Sequence, residues 1–178
     1  MRRALLVLAV AAPVLLAGGA YATNYVVVGA PARDALAEDG RNDGLRLHVR
    51  WKQFVRPGTL VVDLREVDPS AVAPIDLYRA LFQVAASLYE NDREFDRVEL
   101  ARRGELIFVM EGVDFAGIGA GYSAGENPVY MIRTLPEKLY LPSGEPAFGT
   151  WTGGWLGVLS EQMQDVSDAA LMWIGETD

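Results

Sequence analysis

An α+β domain, built on a mostly antiparallel sheet of two hairpins with a central helix and a C-terminal amphipathic helix packed on one face, is the fold this sequence predicts. Three observations carry it. From Leu45 to Lys52 apolar and polar residues alternate strictly, with Leu45, Leu47, Val49 and Trp51 on one side and Arg46, His48, Arg50 and Lys52 on the other, which is the pattern of a half-buried strand. Leu77, Leu81, Val84, Ala85 and Leu88 then recur at helical spacing. Trp155, Leu159, Met163, Val166, Ala170 and Trp173 do the same near the end of the chain.

In chain order, Met1-Arg2-Arg3 leads into a run from Ala4 to Ala32 that holds no charge until Arg33. Residues 1–32 read as an export element in one of two forms. Ala4 to Ala17 has the length of a signal-peptide hydrophobic region, and Ala20-Tyr21-Ala22 supplies small residues for cleavage near Ala22. Alternatively residues 4–30 form an uncleaved anchor in the cytoplasmic membrane, since about 20 apolar residues span a bilayer, with Arg2 and Arg3 on the cytoplasmic side. Either form delivers a periplasm-facing domain, anchored or secreted. Residues 33–44 (RDALAEDGRNDG) are polar and aperiodic and predict a linker, so the exported α+β domain is expected to occupy residues 45–178.

Within that domain Arg56-Pro57-Gly58-Thr59 signals a turn, and the aliphatic run Leu60 to Val67 returns as the partner of the first strand. The central helix is expected from Ile75 to Glu90 after the break at Pro69 to Pro74, with Asp76 at its positive end. Phe95 to Ala101 and Leu106 to Glu111 predict a second hairpin turning at Arg102 to Glu105. Gly112 to Gly125 is so rich in glycine that its backbone is expected to be mobile or shaped for unusual φ values. Four prolines between Asn127 and Gly149 predict an irregular loop with one helical turn at Val129 to Thr134. The last helix is expected from Gly154 to Ile174, with Thr150 or Thr152 as its N-cap.

Composition excludes more than it assigns. The 178 residues carry a formal charge of −8, and a field of that sign repels phosphate backbones, so nucleic acid is not an expected partner. The chain contains no Cys and one His, which removes thiolate nucleophiles, Cys-ligated metals and multi-histidine metal sites. No cofactor or metal is expected.

Five patterns of residues are candidates for function. Tyr130, Arg133, Tyr140, Phe148, Trp151 and Trp155 crowd the proline-punctuated loop and its exit, and aromatics with Arg are the residue types that anchor interfaces; packing beneath the loop would use them equally well. Arg46, His48, Arg50 and Lys52 make a cationic row that would suit anionic lipid headgroups or pair across the sheet with Asp63 or another carboxylate. Glu111 and Asp114 stand near each other at a strand end, as acid and base pairs do. Gly121-Tyr122-Ser123-Ala124-Gly125 matches G-x-S-x-G, but the only histidine lies upstream of the serine rather than downstream. Gly119, Gly121 and Ala124 also fit G-x-G-x-x-A, without the amphipathic helix that should follow. No coherent catalytic set emerges. The expectation is a non-enzymatic exported domain, membrane-anchored, that binds another envelope protein or ligand. The alternatives are a periplasmic hydrolase using Glu111 and Asp114 or Ser123, and a domain binding a small ligand or lipid.

Overall fold

The computed structural model describes residues 18–152 and 155–175, and in it the chain is an α+β domain. Strands β1 (Leu45–Lys52), β2 (Arg56–Val67), β3 (Arg97–Arg102) and β4 (Glu105–Glu111) lie side by side in that order. β1 pairs antiparallel with β2, and β3 with β4, so both expected hairpins are present. The two hairpins are joined by a parallel pairing of β2 with β3, which the alternation in single strands could not specify. A parallel neighbour requires the chain to travel back along the sheet. The helices are α1 (Ala30–Ala37), α2 (Pro74–Glu90), α3 (Gly112–Ser123), α4 (Pro128–Thr134) and α5 (Trp155–Ile174), and α2 is the return segment.

One face of the sheet meets the helices. Val49, Leu60, Val62, Leu64, Val98, Leu100, Phe108 and Met110 point into a core shared with Leu77, Leu81, Phe82, Val84 and Leu88 of α2. The start of α2 has Pro74 in its first turn, and the Asp76 carboxylate accepts a 2.9 Å hydrogen bond from the Ala73 N–H, closing the N-terminus. α5 seals the core with Val166, Ala170 and Trp173. The Trp173 indole donates to the Ala101 carbonyl at 2.9 Å, and the Tyr78 hydroxyl donates to the Val166 carbonyl at 2.5 Å. Met163, expected on the buried stripe, is exposed. The expected N-cap of α5 abuts residues 153–154, outside the described residues.

The glycine-rich segment is a helix rather than a shaped loop. Gly119 shows why the glycine is useful there, because a Cβ at this position would stand 2.5 Å from the Ala85 carbonyl oxygen and 2.8 Å from the Tyr89 Cβ. Close approach of α3 to α2 therefore offsets the poor helix propensity of glycine. The turn at Val129 to Thr134 is α4, opened by the Asn127 side chain accepting from the Val129 N–H at 2.9 Å.

The segment expected as a linker is structured instead. Residues 18–24 are helical and continue through a π-helical turn, Tyr25–Gly29, into α1. Val28 and Ala32 are fully buried in the core. The Asn24 carboxamide oxygen accepts from the Trp51 N–H at 2.6 Å, fastening this helix to the free edge of β1. Ser87 donates to the Pro31 carbonyl at 3.0 Å, and the Asn42 amide donates to the Leu36 carbonyl at 2.9 Å and to Gln83 at 2.7 Å. The hydrogen bonds from Arg41 hold the Asp39 carboxyl well below the usual carboxylate range. Polar composition here marks a helix and 3₁₀ turn whose outer side is wet, and whose inner side is largely alanine. Among the described residues no helix is long and apolar enough to cross a membrane, and residues 1–17, the front of the expected signal or anchor, lie outside them.

Candidate functional site

Among the described residues no helix packs on the second face of the sheet, and the strand register brings several of the candidate residues onto it. Because side chains alternate along a strand and paired residues share a face, Arg50 of β1 continues through Val61, Glu99 and Val109 in one row across all four strands. An isolated bridge between Val109 and Tyr140 extends that row by one residue beyond β4, with N–H to carbonyl distances of 2.8 Å in both directions. Tyr140 and the cationic row of β1 thus share one surface, about 19 Å apart at the usual strand spacing. The next row runs from His48 through Asp63 to Ala101.

This surface is charged yet tightly packed. Asp63 is 0% exposed, accepts from the Gly104 N–H at 3.0 Å, and has the Arg65 guanidinium 3.3 Å from its other oxygen without the alignment of a hydrogen bond. Glu99 is also buried, bound by Lys52 at 2.7 Å with Arg97 at 3.4 Å. Arg46 reaches Glu66 at 3.3 Å, and Arg50 lies over the Phe54 ring at 5.4 Å. Two of the four residues of the cationic row, Arg46 and Lys52, are therefore paired with carboxylates across the sheet. His48 shows solvent on one side, but crowding of its ring and the guanidiniums of Arg50 and Arg65 push it below the ordinary imidazole value, against the pull of Asp63.

The aromatic loop residues are distributed rather than gathered. Tyr130 is 48% exposed with Arg133 stacked over it at 5.3 Å, and it borders a groove of about 480 Å³ between α3 and α4 with Asp114, Glu126 and Lys138. Phe148 packs on Phe108 in the core at 6.0 Å between ring centres, which is the packing role weighed for this group. Trp151 is exposed, its indole donating to Asp165 at 2.6 Å. The Trp155 side chain lies outside the described residues.

The geometry offers little to the acid, base and nucleophile candidates. Glu111 is exposed and ends β4 opposite Arg97, whereas Asp114 is paired with Lys138 at 2.7 Å, so the two carboxylates have separate surroundings. Ser123 closes α3, and its hydroxyl donates to Glu90 at 2.8 Å. His48 is on the opposite face of the sheet, so no imidazole reaches that hydroxyl, and the strand-to-helix elbow of the motif is absent around it. Gly119 and Gly121 lie within a helix, which removes the loop that a pyrophosphate cradle needs.

Sequence reasoning missed Glu99 and Phe54. A lone Glu between Val98 and Leu100 in an aliphatic strand was the available signal for the first. No family model, curated protein or solved structure matches the chain.

Proposed function

We propose that the chain is an exported, non-catalytic domain, held at the cytoplasmic membrane by its N-terminal segment, that binds another envelope component through the open face of its sheet. The observation that carries this reading is that Tyr140 and the row Arg46, His48, Arg50 and Lys52 border one surface that no described helix covers. Val61, Val109 and Ala101 are packed beneath this surface, so what it offers a partner is the accessible side chains of Arg46, His48, Arg50, Lys52 and Tyr140, and aromatics with Arg are residue types that anchor interfaces. The anchored form is supported by the docking of the chain from Asn24 onward onto β1. With Val28 and Ala32 committed to the core and Tyr21 against Phe54, the uncharged stretch upstream of Tyr21, from Ala4 to Ala20, is left for a membrane, at the short end of the range of about 17 to 25 residues that spans use. The small-residue stretch at 20–22 is helical, and Tyr21 packs on Phe54 at 5.8 Å.

The test is the intact mass of full-length protein extracted from its native membranes in mild detergent. A chain that retains its first 22 residues and carries a stoichiometric companion is expected. Tyr140→Ala should release the companion and Tyr130→Ala should not, both with unchanged circular dichroism. A lone chain beginning near Thr23 would overturn the reading.

A further inference from the structure

We infer that the tip of the β1–β2 hairpin, together with Tyr21, is a second point of contact with the membrane, seated in the lipid headgroup layer. The inference rests on the anchored reading above and adds a surface to it.

The helical stretch from Tyr21 to Gly29 runs past the free edge of β1 in the opposite sense to the strand. Asn24 binds Trp51, and Gly29 approaches the Val49 carbonyl. The chain therefore leaves the domain at the end of the sheet where β1 turns into β2. Tyr21, three residues inside the first described residue, is 58% exposed and lies against Phe54 of that turn. Upstream of Gly18 the sequence holds no charge back to Arg3. If that stretch is in a bilayer, Tyr21 stands at its surface, the depth at which Tyr and Trp collect, and the hairpin tip stands beside it.

The tip itself is built at odds with an isolated hairpin in water. Gln53 and Phe54 both take positive φ, 54° and 60°, with no glycine between the strands, a conformation that L side chains resist. The other hairpin makes its turn with Arg103 and Gly104, where glycine takes the larger positive angle of 89°. Val55 is 60% exposed. Lys52 and Arg56 are direct partners across the hairpin, an unfavourable placing of like charges, and Lys52 has Glu99 while Arg56 has no carboxylate in ion-pair distance among the described residues. Asp96, held against Gly58, lies further in along the sheet. An apolar residue at the apex, an aromatic pair behind it and cations on both flanks suit a surface that is apolar within and anionic at its edge.

The chain has no Cys, so single substitutions place a reporter without background. Full-length protein carrying Tyr21→Cys, Val55→Cys or Ser70→Cys is labelled with an environment-sensitive fluorophore and reconstituted into phosphatidylcholine vesicles containing phosphatidylglycerol, with lipids spin-labelled near the headgroup. Ser70 is exposed in the loop at the far end of β2. Loss of fluorescence at positions 21 and 55, with none at 70, is expected. Adding Gln53→Asn and Phe54→Gly, which suit the left-handed turn, should weaken quenching at 55 without lowering thermal stability. Quenching at 21 but not at 55 overturns the tip contact and leaves the anchor. Failure of the protein to float with the vesicles overturns both.

Discussion

The two faces of the sheet are made from the same four strands and have opposite chemistry. The inner face is an aliphatic and aromatic layer closed by α2 and α5, and its polar groups are few and bonded, as with the Trp173 indole on Ala101. The outer face places Asp63 and Glu99 out of solvent with no covering helix among the described residues, held under guanidinium and ammonium groups from their own and neighbouring strands. Stability is expected to reside mainly on the first face, where burial of apolar surface contributes most, and recognition on the second, whose exposed rim groups such as Arg46 and His48 contribute little to folding.

The sharpest way to break this contrast is to injure each face in turn. Trp173→Ala removes a fully buried indole and its hydrogen bond, and should cost about 3 to 5 kcal/mol, read as a lowered midpoint in chemical denaturation. On the outer face Asp63→Ala leaves the Gly104 N–H without its acceptor and should cost about 1 to 3 kcal/mol in the same measurement. Equal losses would mean that the outer carboxylates are part of the folding core and that the two faces do not divide the work.

Where the sequence was legible, period and burial agreed. The alternation of Leu45 to Lys52 became β1, and the helical recurrence from Leu77 to Leu88 became α2, within a residue of the expected start. Illegible places share a cause, which is that one composition serves two environments. Val28 and Ala32 are apolar because they enter the protein core, yet the same letters describe a membrane segment. Arg33 to Gly44 is polar because one side of a short helix is wet, and its inner side shows only small and aliphatic residues. Gly112 to Ser123 has poor helix propensity, overridden by the close approach of Gly119 to α2, a contact between segments far apart in the chain. Tyr140 was legible as a candidate by residue type alone. Its position beside the cationic row depends on the bridge to Val109, which no local periodicity encodes.

The smallest expected effect sharpens the account of the outer face. His48 is held below its ordinary value first by desolvation and then by Arg50 and Arg65. A group with a lowered folded pKa binds fewer protons folded than unfolded, so its contribution to stability is present above about pH 6.5 and is lost as the pH falls through the lowered value. The single histidine makes this readable by an NMR titration of its ring protons. A midpoint below that of a free imidazole is expected, and Arg50→Gln should move it upward while Arg41→Gln, on the far side of the fold, should not. A midpoint above the free value would mean that Asp63 outweighs desolvation and the guanidiniums together. The outer face would then present a protonated imidazole near neutral pH, and its recognition would depend on pH in the opposite sense.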